Sequence, residues 1–234
     1  MMRNASSWLA PLALLLCAAA LGAAGSNPNQ LTAEEQAAGF RLLFDGESVN
    51  GWFPLRPDGA TGEWTVEDGC LTPHGQPREL ATKETFASFE LRFDWKIAAG
   101  GNSGVLYRVE QGHHPPTSGP EYQLLDDETH QVRNIPDRRT AAAYGIYPPD
   151  TDATRQAGEW NTSSILVRGN QVEHWLNGVR VVSYELGSED WKARVANSKF
   201  AKQPQYGAAG RGHIVLQDHG SAVWFRNLRV RELR

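Results

Sequence analysis

Residues 89–97 read Phe89-Glu90-Leu91-Arg92-Phe93-Asp94-Trp95-Lys96-Ile97, apolar and charged in faultless alternation. In an extended chain the five apolar side chains share one face and the four charges the other. A helix would spread those charges around its axis, so the stretch specifies a half-buried strand. Residues 105–109 continue the pattern after Gly100-Gly101-Asn102-Ser103-Gly104. Further on, residues 171–184 read as a hairpin around Asn177-Gly178, the preferred pair for a two-residue type I′ turn. That turn sets Leu176 opposite Val179, Trp175 opposite Arg180, His174 opposite Val181 and Glu173 opposite Val182. Val172, His174, Leu176, Val179 and Val181 then face the core, and Glu173, Trp175, Arg180 and Tyr184 face away. Residues 213–217 and 222–230 are expected to pair through Asp218-His219-Gly220-Ser221.

Helices are few. Thr32-Ala33-Glu34-Glu35 is a capping box opening a short helix that Gly39 ends, and residues 188–197 hold a second one. Many short strands, Asn-Gly and Asp-Gly turns and few helices predict an all-β fold, a two-sheet antiparallel jelly-roll sandwich. No internal repeat is visible. One domain is expected over residues 39–234, after a linker and short helix over residues 25–38.

Residues 1–24 have the pattern of a signal peptide: Arg3, an apolar stretch over residues 9–21, then Gly22, Ala23, Ala24 and Gly25. The stretch is short for a membrane span, and no later segment approaches one. An exported protein is expected, bacterial periplasmic or extracellular. A lipid anchor at Cys17 fits poorly, because leucines precede it where lipoprotein sites prefer a small residue. Cys70 alone then remains, so no internal disulfide is expected. The formal charge of −4 becomes −5 once Arg3 is removed, and no basic tract points to nucleic acid. Seven of the eight tryptophans survive processing, a supply of flat rings that can serve a core or stack on sugars.

Glu121-Tyr122-Gln123-Leu124-Leu125-Asp126 carries two carboxyls and an amide in a β-type run. A one-residue bulge after Gln123 would bring all three onto one face, a pattern suited to gripping a sugar and moving its protons. An edge strand with a solvated acidic end is the plain alternative. Polar residues gather in three further places: Gly101-Asn102-Ser103-Gly104, Gly158-Glu159-Trp160-Asn161 and Leu216-Gln217-Asp218-His219-Gly220. Long irregular loops over residues 110–120 and 128–155 are of a kind that builds sites or lids.

These segments, in this order, with Phe44-Asp45-Gly46, Gly51-Trp52, Glu173-His174-Trp175-Leu176-Asn177-Gly178, Ser198-Lys199-Phe200 and Val223-Trp224-Phe225-Arg226-Asn227, resemble the 3-keto-disaccharide hydrolase domain of exported bacterial proteins. The resemblance spans nearly all of residues 39–232. It implies a concanavalin-like jelly roll and cleavage of glycosides already oxidised at C3 of the sugar. A C3 ketone acidifies the C2 proton, so such a site needs a base near C2, donors or a cation at the C3 oxygen, and an acid at the glycosidic oxygen.

On those needs Glu121, Asp126, His219 and Lys199 are the candidate catalytic groups. Glu121 is base or acid unless it merely pairs with Arg108. Asp126 is partner acid, metal ligand or turn cap. His219 moves protons or braces its turn, and Lys199 steadies the enolate oxygen or is plain surface. Asn102, Arg108, Gln123, Asn161, Glu173, Trp175 and Gln217 are the candidate substrate contacts, whereas His174 reads as a core histidine. Glu121, Asn161 and Gln217 are expected in one hollow. No cofactor is assigned. A divalent metal stays an open alternative, with His113-His114 a weak pair in a Pro-rich loop. Two rival functions remain: a carbohydrate-binding module without catalysis, and a retaining β-glucanase using Glu121 and Asp126.

Overall fold

A computed structural model describes residues 28–55, 60–112 and 115–234. The expected leader, Cys17 and His113-His114 lie outside the described residues. Thirteen strands occur among the described residues. The first five are β1 (Arg41–Leu42), β2 (Trp52–Pro54), β3 (Glu63–Glu67), β4 (Cys70–His74) and β5 (Leu80–Thr82). Then come β6 (Phe89–Ile97), β7 (Asn102–Val109), β8 (Glu121–Leu125) and β9 (Asn161–Arg168). The last are β10 (Gln171–Leu176), β11 (Val179–Glu185), β12 (His213–Leu216) and β13 (Val223–Glu232). Helices are α1 (Ala33–Ala37), α2 (Pro115–Ser118) and α3 (Glu189–Ala196).

The expected two-sheet antiparallel sandwich is present. The larger sheet runs β11-β10-β9-β6-β13-β4-β3, with β1 also on β13; the smaller runs β2-β5-β12-β7-β8. β6 lies mid-sheet, and Phe89, Leu91, Phe93, Trp95 and Ile97 are each no more than 2% exposed. Their burial is worth roughly 10 kcal/mol before conformational entropy is subtracted. Tyr122 and Leu124 of β8 meet them from the other sheet, Tyr122 edge-on to Phe93 at 5.7 Å. The core therefore lies between the sheets, and each sheet has a second, outer face.

Both expected helices form. Thr32 and Glu35 complete the capping box of α1, and the Ser188 hydroxyl accepts from Trp191 N to cap α3. Two strand expectations are corrected. β12 and β13 do not pair: β12 lies between β5 and β7 in the smaller sheet, β13 between β6 and β4 in the larger. Residues 218–221 cross from sheet to sheet, because alternation reveals a strand's inner face but not its neighbour.

The β10–β11 hairpin keeps Leu176 opposite Val179 and Trp175 opposite Arg180, then shifts so that His174 meets Val182 and Glu173 meets Ser183. The extra residue turns both Val181 and Val182 inward and brings Tyr184 into the core, while Val179 stays 42% exposed. Tyr184 then joins a run of stacked rings, Tyr147, Tyr184, Trp191, Tyr206 and Phe200 in order, with centroids 4.9, 5.3, 5.6 and 3.9 Å apart. That run seats α3 and the segment after it, which carries Lys199.

Candidate active site

β8 is an edge strand, and the backbone of the 140s completes it. Ala141 N donates to Gln123 O at 2.8 Å, Gln123 N to Ala142 O at 3.2 Å and Tyr144 N to Glu121 O at 3.0 Å. This loop leans Tyr144 over the outer face of the smaller sheet. Glu121, Gln123, Asn102 and Gln217 rise from that face, and with Tyr144, Lys199, Glu79, Asp218 and His219 they line a hollow of about 280 Å³.

β8 pairs with β7 in unbroken register, Glu121 opposite Leu106 and Gln123 opposite Gly104. The expected bulge after Gln123 is absent, so Asp126 does not share the face of Glu121 and Gln123. Its carboxylate instead accepts from Gly100 N at 2.7 Å, Glu128 N at 3.0 Å and the Thr129 hydroxyl. Burial raises the pKa of Asp126, but those hydrogen bonds outweigh it and hold the carboxyl below its ordinary range. Asp126 is a turn cap here, and the Glu121–Asp126 pair of a retaining glucanase is not assembled.

Glu121 is 4% exposed. Burial pushes its carboxyl up to about 7, opposed by the positive charge of Lys199 and a hydrogen bond from the Gln217 amide. With its amide turned to satisfy its neighbours, Gln123 donates to Glu121 Oε1 at 3.0 Å and to Ser103 O at 3.1 Å. Gln217 is fixed through its backbone, its N donating to Gly104 O at 2.9 Å and its O accepting from the Ser103 hydroxyl at 2.8 Å. Lys199 holds its ammonium 4.0 Å from the Tyr144 ring centroid and 5.0 Å from that of Phe200. The residue is exposed overall, yet it lines the hollow. Desolvation there lowers its pKa against the opposing pull of Glu121. Tyr144 is shifted the other way, by burial first and then by the Glu121 charge.

Chemically, a carboxyl near 7 can hold or release a proton at neutral pH. A cation and several amide donors surround it, and an aromatic wall limits water on one side. Asp218 accepts from Gly220 N at 2.9 Å and Arg78 N at 3.4 Å, so its loop is braced and His219 stands exposed at the rim.

Of the expected site residues, Glu121, Lys199, His219, Asn102, Gln123 and Gln217 are gathered here. Arg108, Asn161, Glu173 and Trp175 are not, and for these the expected placement is corrected. Arg108 sends its guanidinium to Ala87 O at 2.6 Å and Gly169 O at 2.6 Å, binding loops rather than Glu121. Asn161 is buried at the start of β9, where Oδ1 accepts from Arg155 N at 2.9 Å and Asn177 Nδ2 at 2.8 Å. Glu173 and Trp175 lie on the outer face of the larger sheet, across the sandwich. His174 is a core histidine, bonded to Tyr107 OH at 2.9 Å and Ala141 O at 2.8 Å, and burial lowers its pKa to about 4.

Tyr144, Glu79 and Asp218 also line the hollow but were not among the candidate site residues. Tyr144 falls in a loop whose length marked it as a site builder, and Asp218 adjoins two chosen residues. Glu79 gave no signal. Among the described residues no three His, Cys, Asp or Glu side chains converge as a metal site.

A jelly-roll sandwich with a buried carboxyl in an amide-lined hollow is a scaffold suited to a carbohydrate-active enzyme. The chain belongs to the 3-keto-alpha-glucoside-1,2-lyase-like domain family, whose model matches residues 39–231. It is 32% identical over 230 residues to the 3-keto-disaccharide hydrolase of Bacteroides thetaiotaomicron, covering 84% of this chain and 79% of that one. In structure it is similar to a proposed glycosyl hydrolase from Parabacteroides distasonis, with a TM-score of 0.81, 39% identity and coverage of 89% and 100%. A carbohydrate-binding module, CBM66 of Bacillus subtilis, matches with a TM-score of 0.51 at 11% identity over 78% of this chain and 96% of its own, a likeness of fold alone. The protein is thus an enzyme of a glycoside-cleaving family.

Proposed function

We propose that this enzyme cleaves 3-keto-glycosides, either 3-keto-disaccharides or 3-keto-glucosides, by elimination followed by hydration. The observation that carries the reading is Glu121, a buried carboxyl whose pKa lies near 7 beside a lysine and three amides. The relative's name supports the substrate class.

Glu121 takes the C2 proton, and the pair of electrons from the C2–H bond moves toward the C3 oxygen as an enolate. Lys199 and the amides of Asn102, Gln123 and Gln217 stabilise that oxygen and hold neighbouring hydroxyls. The enolate then expels the C1 substituent, with His219 protonating the departing glycosidic oxygen. Water adds at C1 of the resulting enone and passes a proton to His219, Glu121 reprotonates C2 after exchanging its proton with solvent, and the sum is hydrolysis. Tyr144 forms an aromatic wall that limits hydration of the enolate. We further infer an exported enzyme, on the pattern of residues 1–24.

The test is mass spectrometry on a 3-keto-glucoside and 3-keto-trehalose in D2O, with and without chelator. Deuterium at C2 of the product is expected, and turnover without it overturns the elimination. Binding with no turnover of either sugar makes the domain a binding module.

A further inference from the structure

The outer face of the larger sheet carries a second hollow of about 500 Å³ that the chemistry above leaves without a task. Strand register lays out its walls. Across β11, β10, β9, β6 and β13, one row reads Arg180, Trp175, Ser164, Arg92 and Arg229. The next row, from β10 to β13, reads Glu173, Leu166, Glu90 and Arg231. Ser164 is the small member of its row, so the indole of Trp175 and the guanidinium of Arg92 stand on either side of a gap. Two strand spacings separate them, roughly 9.6 Å, enough for one sugar ring between the two walls.

The walls are held in place. Trp175 Nε1 donates to Glu173 Oε2 at 2.9 Å, and Arg180 pairs with the other oxygen of Glu173 at 3.1 Å. Arg92 lies 4.4 Å from the Phe40 ring centroid and pairs with Glu90 at 2.7 Å. Arg229 pairs with Glu35 at 2.6 Å. Each charged wall residue therefore has its counter-ion, and a charged ligand would have to break one of these pairs. The indole N–H is already engaged, which leaves its face for the C–H face of a pyranose, with the Ser164 hydroxyl beneath. Because both walls stand on paired strands, little ordering accompanies binding.

We propose that this slot is a second carbohydrate site, holding one neutral pyranose ring of an oligosaccharide against Trp175 on the face opposite the catalytic hollow. It anchors a longer saccharide without taking part in bond cleavage.

The experiment titrates maltotriose, cellotriose and mannotriose into the Glu121→Gln protein and follows the Trp indole resonances by NMR. At least one trisaccharide is expected to bind with a millimolar Kd, equally in the wild-type protein. Trp175→Ala should weaken that binding about tenfold or more. Ser164→Leu, which fills the gap and keeps the indole, should do the same. Both substitutions should leave turnover of a small 3-keto-glucoside at the wild-type rate. If none of the three sugars binds, or if binding survives both substitutions, the site does not exist. Because binding is read in the Glu121→Gln protein, its outcome is separate from that of the proposed reaction.

Discussion

The carboxylate of Glu121 occupies the space that a side chain at Gly104 would fill. A methyl carbon on Gly104 would lie 2.4 Å from Glu121 Oε1 and 3.0 Å from its Cδ. Gly104 thus does its work by leaving a side chain out, letting the carboxyl fold down over β7 toward Gln217 and Gln123.

Gly104→Ala should therefore displace Glu121 while the sandwich survives. Overpacking of this kind costs about 1–3 kcal/mol of stability, and misplacing a catalytic group by an ångström costs about 100-fold in rate. Steady-state kinetics with thermal unfolding checks both. Near-normal kcat in Gly104→Ala would show that the position of Glu121 does not matter.

Glu121→Gln should abolish turnover of a 3-keto-glucoside, and the wild-type enzyme should gain activity as pH rises to about 7, where Glu121 becomes the base. The effect on stability has the opposite sign. A carboxyl raised from 4.5 to about 7 binds its proton more tightly when folded, so its penalty is absent below 4.5 and full above 7. Glu121→Gln should then be more stable than wild type above pH 7, by at most roughly 3 kcal/mol. The gap should close in acid. Denaturant melts at pH 4 and pH 8 read it directly, and an equal gap at both would exclude the raised carboxyl.

Lys199→Met should lower kcat by about 100- to 1,000-fold if its charge stabilises the enolate oxygen. It should also move the acid limb of the pH–rate profile above its wild-type position, because the lysine charge lowers the pKa of Glu121. A loss of rate with an unmoved limb would leave Lys199 a role in binding geometry only.

Asp126→Asn should keep kcat within a few-fold and cost about 1–2 kcal/mol of stability, through weakened hydrogen bonds to the 126–129 turn. Kinetics and chemical denaturation on the same preparation decide. A collapse of kcat at unchanged stability would return Asp126 to the chemistry.

The alternation in β6 and the Asn177-Gly178 turn were enough to read a sandwich, because period and turn chemistry are local properties of the chain. Glu121 and Gln123 were legible for the same reason: residues two apart in a strand share a face. For Asp126 the turn cap was one of the roles the sequence offered, but the bulge that would have set it beside Glu121 is absent, because a bulge is settled by the facing strand, here β7. Glu173 and Trp175 were rightly read as pointing away from the core, yet each sheet has its own outer face and local pattern does not say which. Tyr144 reached the site only because its loop hydrogen-bonds to the open edge of β8.

The amino-acid order by itself determined which side chains of β6 and β10 are inward, where the Asn177-Gly178 turn falls and that helices are few, since each depends on neighbours within a few residues. Tertiary structure alone decided that β12 lies beside β7, so that Gln217 meets Glu121, and that Asn161 and Trp175 do not. Those meetings depend on backbone hydrogen bonds between strands distant in the chain, and any strand offers the same donors and acceptors to every neighbour.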